Sequence, residues 1–195
     1  MLERDHTSTV MKDRENASPS AETQSPHHSD ARSLIRAATV ADAKLIGGQR
    51  RLMFIENGLI FQGNWEDFDR AFLAWIEPRL RDESYIGWLA EEAGQIIAGA
   101  GVWFMDWPPH YRHIQPTRGY LLNFYTAPAA RGRGFAKSFI SLAIDECRKR
   151  GIGVAVLHAT HMGAPLYRQC GFETGNEMTF SINSSRLAQV AMGAP

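Results

Sequence analysis

Arg131-Gly132-Arg133-Gly134-Phe135-Ala136-Lys137-Ser138 stands between two regular patterns. Before it, Gly119-Tyr120-Leu121-Leu122-Asn123-Phe124-Tyr125-Thr126 reads as an apolar strand. After it, the spacing predicts an amphipathic helix over about 133–150, with Ala136, Ile140, Ala143, Ile144 and Cys147 on one face. Glycine lets a chain turn sharply and bring its backbone close to a ligand. Backbone N–H groups at such a junction point outward at the positive end of the helix dipole. They form a cradle suited to a pyrophosphate. Arg131 and Arg133 are expected to add positive charge beside it. Three phosphate-binding patterns compete. A dinucleotide fingerprint, Gly-x-Gly-x-x-Gly, fits Gly132 and Gly134 but meets Lys137 at its third position. A triphosphate loop fits Lys137-Ser138 but finds Arg131 and Ala136 where it needs glycines. Arg/Gln-x-x-Gly-x-Gly/Ala at a strand-to-helix junction is met in full by Arg131, Gly134 and Ala136. On this segment alone, a plain tight turn without a ligand stays open.

Downstream, Arg148, Lys149 and Arg150 suit the negative end of the helix and Gly151 its cap. Val154–Ala159 reads as a strand, Ala164–Cys170 as a short helix ending at Gly171, and Glu177–Ile182 as a last strand. Upstream, Leu34–Ala38 is a strand candidate. Thr39 with Asp42 then opens a helical stretch bearing Leu45, Leu52, Met53 and Ile55. Gly47-Gly48 is expected to kink or break that helix. Residues 65–81 form a second helix, with Phe68, Phe72, Trp75 and Ile76 on one face and Pro78 ending or kinking it. Tyr85–Ala90 and Gln95–Phe104 form an antiparallel hairpin around Glu92-Ala93-Gly94. Trp107-Pro108-Pro109 interrupts it, and 108–118 is a loop. The order β-α-α-β-β-β-α-β-α-β is mixed α/β with one crossover over about 119–158.

The chain has 195 residues, and its 21 lysines and arginines balance 21 aspartates and glutamates. Such neutrality gives no argument for a nucleic-acid partner or an anionic membrane. No apolar run approaches the ~18 residues of a membrane span. The start, MLERDHTSTVMKDRE, has no apolar stretch and does not read as a secretory signal. Cys147 and Cys170 are too few for a disulfide scaffold or a cysteine zinc site, so no metal is expected and a cytoplasmic setting is. Residues 1–33 are polar, and no Phe, Trp or Tyr precedes Phe54. They read as a flexible tail in which His27-His28 is a solvated pair. Residues 184–195 read as a second, small-residue tail. The folded domain is therefore expected over 34–183.

About thirty residues after the glycine turn stands Ala164-Pro165-Leu166-Tyr167-Arg168-Gln169-Cys170-Gly171-Phe172. Together the two segments resemble the GNAT superfamily of acyl-CoA-dependent N-acetyltransferases. Its central pattern is strand, Arg-Gly-x-Gly-x-Ala, helix, strand, Leu-Tyr-x-x-x-Gly-Phe. The resemblance spans about 34–182. It implies a mixed, mostly antiparallel central sheet with a splayed strand pair and flanking helices. It implies acetyl-CoA as cosubstrate, with the pantetheine arm on backbone groups of Phe124, Tyr125 and Thr126. The pyrophosphate would rest on N–H groups of Arg131, Gly132, Arg133, Gly134, Phe135, Ala136 and Lys137. Tyr167 aligns with the tyrosine that protonates the leaving thiolate. A free thiol ionises near ~8.5 and a phenol near ~10, so a positioned phenol can serve. The family often has Asn seven residues before that Tyr, and Thr160, with a shorter reach, stands here.

The reaction so implied is transfer of acetyl from acetyl-CoA to a primary amine of a small-molecule acceptor, directly in a ternary complex. The alternative is a non-catalytic acyl-CoA-binding or regulatory module of the same fold. A backbone N–H of 124–126 is expected to polarise the acyl carbonyl. The acceptor amine must lose a proton. Glu56, Asp106, His158 and His161 are candidate bases, and Asn123 could orient a water or the acceptor. None is preferred. The loop Trp107-Pro108-Pro109-His110-Tyr111 is expected to line the acceptor cleft. Cys170 reads as a small buried hydrophobe rather than a nucleophile. A homodimer is the commonest closed assembly for such a chain.

Overall fold

The structure is a computed structural model that describes residues 33–178 apart from 112 and 176. The tails expected at 1–33 and 184–195 lie outside it except for Ser33, as do residues 179–182 of the expected last strand; Glu177 and Met178 are not in a strand. Five strands form one sheet in chain order: β1 (Leu34–Ala37), β2 (Tyr85–Glu92), β3 (Gln95–Asp106), β4 (Thr117–Thr126) and β5 (Ala155–Leu157). The first three pairings are antiparallel and β4/β5 is parallel. The mostly antiparallel mixed α/β sheet expected from the sequence is therefore present.

Alternation along the strands divides the core between two faces. On one face α1 (Ala43–Glu56) and α2 (Trp65–Arg81) bury Ala43, Ile46, Phe72 and Ile76 against Tyr85 and Leu89. On the other, α3 (Phe135–Lys149) buries Ile140, Ala143 and Cys147 against Val102 and Leu121. Phe135 and Phe139 of the same helix cover Ala90, Ala98 and Ala100. A Schellman cap closes α3, with Ile152 N–H donating to Cys147 C=O (2.9 Å) and Gly151 N–H to Arg148 C=O (3.0 Å). The short α4 (Ala164–Gln169) follows β5.

Four local expectations need correction. Gly47-Gly48 does not break α1, which runs through both. A Cβ on Gly47 would stand 3.2 Å from Phe72 Cδ1, so this glycine lets α2 approach. Pro78 lies inside α2, which continues to Arg81. So late in the helix it forfeits one intrahelical bond, and Asp82 N–H still closes on Pro78 C=O at 3.0 Å. The loop ends earlier than expected, because β4 starts at Thr117. β5 is only Ala155–Leu157, which leaves His158 beyond its end.

Two irregularities shape the second half of β4. Its register with β3 steps from Gly101↔Leu122 to Gly99↔Tyr125, so β4 carries one extra residue. Asn123 sits in that bulge with φ +59°. Pairing with β5 stops at Leu121↔Leu157, while β4 runs on to Thr126. Residues 122–126 thus have no β5 neighbour, and the two strands splay.

Candidate active site

Beyond Thr126 the chain turns through a short 3₁₀ segment, Pro128–Ala130, into the glycine turn. Gly132 (φ +77°) and Gly134 (φ +89°) are both left-handed, and Gly134 is the N-cap of α3. A Cβ at either would meet nothing within 4 Å, so glycine answers to the backbone angle there and not to crowding. No side chain caps the helix. Its first internal bond runs from Ser138 N–H to Gly134 C=O at 3.2 Å. The N–H groups of Phe135, Ala136 and Lys137 therefore have no acceptor within the helix, and they sit at its positive end.

The arginines of the turn behave otherwise than expected. Arg131 folds back so that Nε donates to Thr126 C=O (3.1 Å) and Nη2 pairs with Glu56. Arg133 forks onto Glu92 at 2.6 and 3.1 Å, which holds that carboxyl below its ordinary range. Both charges are matched locally. What the turn offers an anion is backbone.

The splayed end of β4 sends its side chains to both faces. Phe124 points toward α4, where its ring meets Tyr167 edge-on at 5.9 Å, and Tyr167 meets Phe172 likewise at 5.9 Å. Burial, with a smaller contribution from Cys170, pushes the Tyr167 phenol up to about 12. Among the described residues its hydroxyl has no hydrogen-bond partner. Thr160 Oγ1 accepts from Gly163 N–H at 3.1 Å in the turn before α4, leaving its own hydroxyl hydrogen to donate. A Cβ on Gly163 would lie 3.3 Å from both Thr160 Oγ1 and Tyr167 Cε2, so the two side chains are neighbours. Tyr125 points to α1 and donates to Glu56 Oε1 at 3.2 Å.

The residues considered for the acceptor proton separate clearly. Glu56 is committed to Arg131 and Tyr125 and is no free base. Asn123, 3% exposed, is no free orienting group: Oδ1 accepts from Arg50 Nη1 (2.7 Å) and Nδ2 donates to Tyr85 Oη (3.1 Å). Tyr85 is wholly buried, and its phenol is pushed up to about 12. His158 Nδ1 lies 2.6 Å from Tyr120 Oη, and its Nε2 lies 3.5 Å from Glu177 Oε1. With its proton on Nε2, the imidazole accepts from Tyr120 and turns its N–H to Glu177. Asp106 and His161 are exposed. The Trp107 loop sits at the opposite end of β4 from the glycine turn. There Arg118 covers the Trp107 ring at 4.0 Å and His113 Nε2 accepts from Gly153 N–H at 3.1 Å.

Arg50, Tyr85 and Tyr120 did not stand out in the sequence. They come from three separate segments, and no local spacing marks them. Both cysteines are free, and burial pushes the Cys147 thiol up. Among the described residues no cluster of three or more His, Cys, Asp or Glu could hold a metal, and no helix is long and apolar enough to cross a membrane.

The acetyltransferase (GNAT) family model matches residues 52–172. A GCN5-related N-acetyltransferase from Ralstonia eutropha JMP134 is similar with a TM-score of 0.73 and 39% identity, covering 78% of this chain and 99% of that one. A predicted acetyltransferase from Clostridium acetobutylicum, solved with acetyl-CoA, gives 0.72 and 30% identity over 77% and 96%. No curated protein matches the sequence. With the splayed strands, the glycine turn and this likeness in agreement, the chain belongs to the GNAT acetyltransferase family and is an acyltransferase whose reaction is acetyl transfer.

Proposed function

We propose that the protein moves the acetyl group of acetyl-CoA directly onto a primary amine of a small-molecule acceptor in a ternary complex. One observation carries this reading. β4 loses its β5 neighbour after Leu121 and leads straight into an uncapped α3 N-terminus. A strand edge with free backbone groups, followed by an anion cradle, fits a long amide-bearing arm that ends in a pyrophosphate. Phe124, Tyr125 and Thr126 would line the arm. The N–H groups across Arg131, Gly132, Arg133, Gly134, Phe135, Ala136 and Lys137 would hold the pyrophosphate. Thr160 would donate from the opposite wall. Acetyl-CoA, when bound, supplies the activated acyl group and a thiolate leaving group.

Tyr167 is the acid. Burial keeps its phenol protonated, and with no partner among the described residues the hydroxyl is available to donate to sulfur. The same burial raises a thiolate placed beside it, so donor and acceptor shift together. The proton of the attacking amine leaves by Tyr120. As Tyr120 Oη accepts it, its own proton passes along the 2.6 Å contact to His158 Nδ1, and Glu177 faces the imidazolium so formed. A backbone N–H of 124–126 polarises the carbonyl.

In this reading the catalytic domain spans 34–183, between tails at 1–33 and 184–195. Two unpaired cysteines suit a reducing cytoplasm. A homodimer accords with the general prevalence of two-fold assemblies. The test is thiol release from acetyl-CoA across a panel of amines, with mass detection of the product. Amine-dependent release with an acetylated amine is expected. Tight acetyl-CoA binding without turnover on any amine would overturn the reading in favour of a binding module.

A further inference from the structure

Arg50 lies on α1 directly over the β4 bulge. Its Nη1 donates to Asn123 Oδ1 at 2.7 Å, and its guanidinium faces the rings of Phe54 (4.8 Å) and Phe72 (5.4 Å). A guanidinium has five N–H donors in a planar fork. Asn123 is its one hydrogen-bond partner among the described residues, and no carboxylate there pairs with it. Arg36, Arg51, Arg131, Arg133 and Arg150 each meet a carboxylate at the surface. Arg50 is half-buried, with a neutral amide as its partner and two neutral phenols, Tyr85 and Tyr120, near it. Desolvation lowers its basicity, as expected of a half-buried charge with no counter-ion among the described residues. Such burial is costly unless something of opposite charge arrives.

The position of this cation gives the burial a purpose. Tyr120, Asn123 and Tyr125 share the α1 face of β4, the face opposite Tyr167. Arg50 therefore flanks the splayed strand end on the side away from the thiolate acid, close to the Tyr120 hydroxyl that takes the amine proton. Aromatic rings on the guanidinium and Asn123 at one Nη fix the direction of the remaining donors. A fixed planar fork suits a two-oxygen anion.

We propose that Arg50 binds an oxyanion of the acceptor, a carboxylate or a phosphate. The acceptor class is then a compact amine that bears an acidic group a few bonds from its nitrogen. This rests on the amine-transfer reading above and names the substrate class of that same site. Asn123 is a positioning residue that holds Arg50 through the bulge.

The test pairs each anionic amine with its neutral counterpart. Glycine, L-alanine and β-alanine are compared with their carboxamides, and O-phosphoethanolamine with ethanolamine. Wild-type kcat/KM is expected to favour the anionic member by about 10–100-fold, the range of charge-assisted hydrogen bonds. The carboxylate pairs and the phosphate pair then tell which oxyanion is used. In Arg50→Gln the ratio is expected to collapse toward one. Glutamine keeps a neutral amide donor on a shorter side chain, thermal melts check that the bulge survives the change, and differences in amine basicity within a pair cancel between wild type and variant. Arg50→Lys should retain part of the preference. A second readout needs no turnover: N-acetyl-β-alanine and N-acetyl-O-phosphoethanolamine are titrated into the CoA-bound protein, with thermal melts confirming the fold. Binding of either to wild type and its loss in Arg50→Gln supports the subsite, even if no amine is acetylated, in which case the amine-transfer reading fails and the subsite stands. Equal loss on anionic and neutral amines in Arg50→Gln, or a wild type that favours neither member of any pair and binds neither product, overturns it.

Discussion

Gly134 is the position where the anion cradle is most exposed to test. Its φ of +89° and ψ of −1° place it in left-handed territory at the N-cap of α3. A Cβ there meets no atom within 4 Å, so alanine clashes with nothing and its cost is conformational alone. An L-residue in such a conformation costs about 1–2 kcal/mol. The turn is at the surface and uncapped, so the backbone relieves this penalty by rotating. The N–H groups of Phe135, Ala136 and Lys137 then lose their common aim. At about 1.4 kcal/mol per decade, Gly134→Ala is expected to weaken acetyl-CoA binding about 5–30-fold. Asparagine tolerates left-handed backbone better than alanine, and valine worse, so the losses should rank Asn, Ala, Val. Titration calorimetry with acetyl-CoA measures this. S-acetylpantetheine, which lacks the pyrophosphate, supplies the control and should bind wild type and variants alike. If Gly134→Val melts like wild type and binds acetyl-CoA with wild-type affinity, the cradle is refuted. If it loses acetyl-CoA and S-acetylpantetheine equally, the damage is to the arm site and not to pyrophosphate binding.

The same geometry has other consequences. Tyr167→Phe should lower kcat by about 10²-fold or more while acetyl-CoA affinity holds; wild-type rates across the pH range would reject Tyr167 as the acid. His158→Gln should lower kcat while acetyl-CoA affinity holds, whereas Glu56→Gln, whose carboxylate is already ion-paired, should cost kcat less. Pre-steady-state rates separate the two, and a larger loss of kcat in Glu56→Gln would return the base role to Glu56. The buried phenols of Tyr85 and Tyr167 both stand at about 12, against about 10 for an unfolded tyrosine. Between those values the unfolded chain has lost protons that the native state keeps, so stability is full below pH 10 and falls as pH rises toward 12. The full loss approaches about 3 kcal/mol for a fully buried phenol. Urea melts at pH 9 and 11.5 measure it, and Tyr85→Phe should flatten the dependence; an unchanged slope would deny that Tyr85 titrates with unfolding.

The turn proposed to hold the cofactor was legible in the sequence because it is local. Arg131 to Lys137 lie within seven consecutive positions, and what they offer is backbone, whose shape glycine spacing announces. Even there the charges misled. Glu56 stands 75 residues before Arg131 and Glu92 stands 41 before Arg133, so no reading of the turn alone could foresee that both guanidiniums are neutralised. Gly47 and Pro78 misled in the opposite sense. Local propensity argued for breaks, and contact with Phe72 and a late position in the helix overrode it. The proposed acceptor side was legible only in part: Asn123 and His158 stood out as residue types, and their partners did not. Arg50, Tyr85, Tyr120, Asn123, His158 and Glu177 come from five segments, and only the strand register and the crossover bring them together.

That register turns on one residue. Leu121 packs toward α3 and Leu122 toward α1, so simple alternation would send Asn123 back toward α3 and Phe124 toward α1. The extra residue in β4 reverses this. Asn123 stays on the α1 face beneath Arg50 and against Tyr85, and Phe124 crosses to meet Tyr167. A left-handed φ of +59° costs Asn less than most residues, and two hydrogen bonds, one of them buried, offset what cost is left. The bulge therefore does more than open the strand edge. It sets Tyr167, the proposed acid, on one face and Arg50 on the other. The same residues in strict alternation, with no bulge, would place Phe124 under Arg50 and leave Tyr167 without its ring neighbour on β4.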